Sequence, residues 1–213
     1  GSYGFTQMVL RIPLGVFSDR INKRKVFIIF GIFISIVSAL AMGLLKSPLF
    51  LLIFRGLTGA AAATWVTFTV LFSNYFPENE TSKAMGYINS CNSFGQMSAM
   101  LLGGIAAQQF GSQAPFFLAF IVGSLGLILS FGIAEQKIDR EPLKLSALLA
   151  VGKDRNLLSV SGLAILLQLI TFSTVFGFTP IAAEKIGAND FQLGLLSTLS
   201  TLPVIFSSAM SGS

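Results

Sequence analysis

Two arginines, Arg11 and Arg55, stand inside long apolar runs, where little water is available to a charge. A guanidinium in such a place can neutralise a carboxylate or hold an anion. Its insertion costs about 2.5–3.5 kcal/mol, so each should face a partner or a wet cavity. Arg55 lies ~9 Å from the nearer end of its run at 1.5 Å per residue, so a snorkelling side chain is the alternative. Arg11 lies ~12 Å from Asp19, with Pro13 near it, and either faces a central cavity or serves only packing. Asn89, Asn92 and Gln96 follow i, i+3, i+7 and share one helical face. With Gln168 and Thr171 they are candidates to line a cavity, or else to bond across helices.

What is missing narrows the chemistry further. The sequence has no histidine and one cysteine, Cys91. That argues against a His-bound metal or haem, a His-based acid–base site and an intrachain disulfide. No phosphate-binding glycine loop of the P-loop kind occurs. Every acidic residue falls in a loop or at the end of a run. No catalytic residue, metal ligand or cofactor is expected, and an enzyme is disfavoured. Cys91 reads as a small buried packing residue.

The densest charge lies in Gly15–Lys25, GVFSDRINKRK, whose last seven residues carry five charges. Asp19 sits where a helix should end, and the helix dipole disfavours an anion there, so a donor or cation should compensate it. Gly15 allows close helix approach, and Asn22 can close a tight turn.

These groups must be positioned by membrane helices. Of 213 residues 53% are apolar and 11% charged, less than half the charge of an average soluble domain. The apolar runs are long and unbroken rather than alternating, which favours helices over a barrel. Seven spans are read: 3–18, 26–45, 49–76, 84–110, 115–134, 157–180 and 191 to the end. No basic n-region and cleavage site precede the first. Alternate loops divide the basic residues ten against two, with only Lys46 and Lys185 on the poorer side. The richer side, with loops 19–25, 77–83 and 135–155, is therefore expected to be cytoplasmic in a multi-pass cell-membrane protein. Orientation alone could account for the basic turn. The net charge of +5 then reflects topology, and no nucleic-acid partner is expected.

Three motifs carry a resemblance. Gly15, Asp19, Arg20, Lys23 and Arg24 match the loop signature Gly-x-Leu-Ala-Asp-Arg-x-Gly-Arg-Lys of the major facilitator superfamily, with Asn22 in place of a glycine. Leu51, Arg55, Gly59, Ala62 and Ala63 are similar to that family's fourth-helix motif. Gly86, Gly95, Gly103 and Gly104 keep the glycines of its fifth-helix motif, while Ala99 and Met100 replace its Gly-Pro. Simple helix packing is the other explanation of these glycines.

The resemblance implies an all-α polytopic bundle covering the second to the eighth of twelve helices, without the first and the last four. Residues 1–134 would form most of one bundle, 135–155 a cytoplasmic linker with an interfacial helix around Leu143–Val151, and 156–213 the start of a second bundle. It further implies a secondary transporter working by alternating access, with a small-molecule substrate, the lipid bilayer and the missing helices as partners. The fifth-helix motif points to proton-coupled efflux, and Asp19 with Arg20 would latch the outward-facing form. Glu78 and Glu80 are either pairs for Lys23 or Arg24, or solvated loop acids. Arg11 or Arg55 would be counter-ion to a carboxylate on the missing first helix. The competing classes are a seven-span receptor or scaffold, an inactive transporter fragment, and a channel. No filter-like loop supports the last.

Overall fold

The computed structural model describes residues 1–21, 23–45, 47–135 and 154–211, and every regular element among them is helical. α1 spans Ser2–Ile21 and contains Pro13. α2 spans Arg24–Leu44. α3 (Pro48–Ala63) and α4 (Trp65–Ser73) follow, and a short 3₁₀ turn at Glu78–Glu80 leads into the long α5, Thr81–Phe110. α6 spans Ala114–Phe131. α7 (Arg155–Thr171) runs through a π-helix at Phe172–Phe178 into α8, Thr179–Lys185. α9 spans Asp190–Ser211.

Local chemistry sets the ends. Pro48 occupies the first turn of α3, where its missing N–H costs nothing. Gly111, at φ +90°, stops α5 in a conformation that suits glycine. Asp154 caps α7 by accepting from the N–H groups of Asn156 (2.8 Å) and Leu157 (3.1 Å). At the start of α9, Asn189 and Gln192 exchange backbone-to-side-chain bonds of 3.0 and 2.9 Å, a reciprocal capping box.

Burial is arranged as a bilayer requires. Small residues such as Ser38, Ala39, Ala61, Ala63 and Ala84 are buried. Leu125, Ile128 and Leu129 of α6 are each more than half exposed, which suits contact with acyl chains. Several hydroxyls on the helices turn back to carbonyls three or four residues earlier, as Ser130 does to Leu127 at 2.6 Å and Ser124 to Phe120 at 2.7 Å. That satisfies them without water. The hydroxyls of buried Ser38 and Thr67, by contrast, have no partner among the described residues. Among the described residues four segments are long and apolar enough to cross a membrane: 24–44, 48–73, 114–131 and 155–185. α1 and α5 have spanning length too, but carry more polar and charged residues, and α9 also has the length to span. The chain is an all-α polytopic membrane protein.

Packing pairs α1 with α3, and α2 with both α3 and α6, while the most extensive packing joins α5 to α9. Two expectations change. The span predicted over 49–76 is broken at Thr64, whose hydroxyl bonds to the Ala61 carbonyl at 2.7 Å. A Cβ on Gly31 of α2 would collide with that same hydroxyl, so α2 crosses at the break. Cys91 is exposed rather than buried, because no described helix covers its face of α5. The interfacial helix expected around Leu143–Val151, and Asn22 and Lys46, lie outside the described residues.

Candidate functional site

The charged turn is built from two helix ends. Asp19 lies in the last turn of α1 and Arg24 is the first residue of α2. Each is badly placed for its helix dipole, and they compensate one another through an Nη2–Oδ1 bond of 2.7 Å. Arg24 is buried, and its Nε has no partner among the described residues. Arg20 and Lys23 are exposed. Of the residues expected to pair at this turn, Arg24 takes Asp19 and Glu80 lies 4.0 Å from Lys83. A Cβ on Gly15 would touch only Val66 Cγ1, at 3.7 Å, so this contact does not require glycine.

The same end holds α6. Lys25 donates through Nζ to the Phe131 carbonyl (2.7 Å) and through its backbone N–H to Glu135 Oε1 (3.2 Å), and the Tyr75 hydroxyl donates to the Ala134 carbonyl. A cation at the C-terminus of α6 is favoured by the dipole. The segments after α1, α4 and α6 therefore gather at one end of the molecule.

The polar face of α5 opens into a cleft. Asn89, Asn92, Gln96, Gln168 and Thr171, the residues expected to line a cavity, all line one pocket of about 680 Å³ together with Trp65 and Ser200. A second pocket, about 530 Å³, shares Gln96, Gln168 and Phe176 and adds Tyr3 and Phe172. A third, about 880 Å³, shares Tyr3, Phe172 and Phe176 and ends at Arg55, Gln7 and Thr58. The shared wall residues set the three pockets side by side as a row, here called the cleft, with neutral amides at one end, aromatic rings in the middle and Arg55 at the other. Its sides come from α1, α3, α4 and α5 on one hand and from α7, the π-helix and α9 on the other. Arg11 is exposed and is not among the lining residues of these pockets, about one turn beyond Gln7 on α1.

The sequence model of the Major Facilitator Superfamily matches residues 1–213, the entire chain. The chain belongs to that superfamily. An uncharacterised MFS-type transporter of Methanocaldococcus jannaschii is 27% identical over 214 residues, covering 95% of this chain and 54% of the relative. The inner membrane transport protein YajR of Escherichia coli is 31% identical over 133 residues, 62% of this chain and 29% of the relative. Multidrug resistance protein 2 of Bacillus subtilis is 23% identical over 218 residues, 96% of this chain and 53% of the relative. The chain thus spans about half the length of the relatives that it matches end to end. No solved structure matches it.

Within this superfamily chain the motif glycines do different work. A Cβ on Gly59 would run into the Tyr3 carbonyl, so glycine there lets α3 cross α1. Gly104 meets α9, where a Cβ would sit 2.8 Å from the Asp190 carbonyl and 3.1 Å from Gly194 Cα. Gly86 is buried, and at 100° per residue it shares a face with Gly104 while Gly95 points the opposite way. Gly95 has nothing within 4 Å, and Gly103 has only Pro115 Cβ at 3.9 Å. The four glycines do not form one flat face. Sequence reasoning missed Gly194, which no motif marks, and the aromatic wall of Phe172 and Phe176. The wall was legible: Gln168, Phe172 and Phe176 recur every four residues.

Proposed function

We propose that the whole protein is a secondary transporter that expels a small molecule by alternating access, in exchange for protons. The observation that carries this reading is the cleft walled by two sets of helices. Residues before 135 supply Arg55, Tyr3 and Gln96, and residues after 155 supply Gln168, Phe172 and Phe176. Two bundles, 1–134 and the one beginning at 156, could alternately expose such a cleft to either side by rocking about it. In this reading the α5–α9 crossing at Gly104 and Gly194 is the contact on which they move, and Asp19, Arg20 and Arg24 latch the cytoplasmic end. The cell membrane is the setting, with the loops at 19–25, 77–83 and 135–155 inside.

Efflux is supported by the glycine pattern of α5 and by the multidrug-resistance name of the Bacillus relative. Proton coupling needs a carboxylate within the membrane. No acidic side chain lines the described cleft, so we assign that role to a helix outside this chain, with Arg11, which lies off the cleft, as its counter-ion.

Everted membrane vesicles carrying the full-length protein test the reading. Energised by respiration, they should accumulate at least one of a panel of lipophilic cations, neutral compounds and organic anions. Collapsing the pH gradient with nigericin should abolish the accumulation. If no compound accumulates above empty vesicles, the transport reading is wrong.

A further inference from the structure

We infer that the cleft selects an organic anion with an aromatic body, an inference that rests on reading the cleft as the substrate site. Among the described residues, Arg55 is the only charged side chain lining these three adjoining pockets, and none of those residues forms an ion pair with it. Its guanidinium offers a planar fork of donors that fits a carboxylate or phosphate by two parallel bonds. A cation in the same cleft would meet Arg55 with no described carboxylate to offset it. The π-faces of Tyr3, Phe172 and Phe176 would attract a cation weakly, and the like charge of Arg55, an exposed residue at the end of the cleft, would oppose it.

The order of the walls gives the order of the ligand. Next to Arg55 stand Tyr3, Phe172 and Phe176, with the last two rings 5.5 Å apart at 43° to one another. That spacing suits a flat ring laid against either face. Beyond them Gln96 and Gln168 offer both donors and acceptors without charge, which suits a neutral hydrogen-bonding substituent. The ligand class is an aromatic carboxylate or phosphate, acid group at Arg55 and any polar tail toward α5.

Equilibrium dialysis with the full-length protein in nanodiscs tests this. The probes are radiolabelled 2-naphthoate, the cation 2-naphthylmethylammonium, the neutral 2-naphthalenemethanol and the non-aromatic anion cyclohexanecarboxylate. 2-Naphthoate should bind about tenfold or more tighter than the neutral compound, the size of one charge-assisted hydrogen bond. Arg55→Gln should erase that difference while the neutral compound binds as before, which also shows that the variant is folded. Should Arg55→Gln not fold, Arg55→Lys serves instead, keeping the charge but losing the fork, and should recover only part of the preference. Phe176→Ala should weaken 2-naphthoate more than cyclohexanecarboxylate.

Tighter binding of the cation than of 2-naphthoate, or unchanged 2-naphthoate affinity in Arg55→Gln, overturns the inference. The second result would leave Arg55 as a snorkelling or ion-paired side chain. Naphthoate binding without accumulation in vesicles would keep the anion site and refute transport. Accumulation of other compounds, with no naphthoate binding, would do the reverse.

Discussion

Asp19 and Arg24 each stand at the end of a helix that disfavours their charge, and the 2.7 Å bond between them offsets both penalties. Removing one partner should therefore do more harm than removing both. Asp19→Asn leaves Arg24 buried with a weaker acceptor. We expect a loss of about 1–3 kcal/mol, below the ~3–5 of a fully buried pair, because the Asp19 side chain is 40% exposed. The double variant Asp19→Asn/Arg24→Met should recover part of that loss. The midpoint for loss of the monodisperse peak, after heating and size-exclusion chromatography, measures it. Equal midpoints for the single and double variants would show that the pair does not hold the turn. A latch predicts in addition that Asp19→Asn slows turnover far more than it lowers expression, whereas an equal fall in both points to folding. The need to compensate Asp19 was legible in the sequence. Which cation does so was not, because hydropathy starts the next span at Val26 while the backbone starts α2 at Arg24 and draws that side chain inward.

Helix crossings rest on single glycines, and adjacent ones differ in what they permit. Gly103 of α5 has room for a methyl and Gly104 does not, since α9 approaches to within 2.8 Å of the site of its Cβ. Gly103→Ala should be neutral or gain up to about 1 kcal/mol from helix propensity. Gly104→Ala should lose about 1–3 kcal/mol by overpacking, because what it meets is backbone and not a side chain that can swing away. The same heating assay ranks them, and equal behaviour of the two would mean that the α5–α9 crossing is looser than described. The glycine spacing in α5 was plain in the sequence, but its partner was not, since Gly194 belongs to no motif and the crossing depends on two helices far apart in the chain. Breaks in the helices were also hidden. Thr64 and the π-helix at Phe172–Phe178 interrupt runs whose hydropathy continues unchanged, and a periodicity argument sees only the hydropathy.

At the scale of the molecule, the helical class was readable, and four of the seven spans read from the sequence recur as helices long and apolar enough to cross, because a bilayer imposes length and composition directly. The side of the membrane on which each end lies rests on the ten-to-two division of basic residues. The fold adds an independent constraint. Lys25 bonds to Phe131 and Glu135, and Tyr75 to Ala134, so the segments after α1, α4 and α6 must lie on one side together. Ile186, between α8 and α9, is 88% exposed, and the seven-span reading of the sequence predicts it on the other side. With Cys91 replaced by serine, because it is exposed and would react, Lys83→Cys and Ile186→Cys report the two sides separately. An impermeant maleimide should label Ile186→Cys in intact cells and Lys83→Cys only in everted vesicles. If both react in intact cells, the spans between residues 83 and 186 are miscounted. If the pattern is reversed, the basic loops face outward, and the cleft, the latch and the direction of efflux must all be inverted with them.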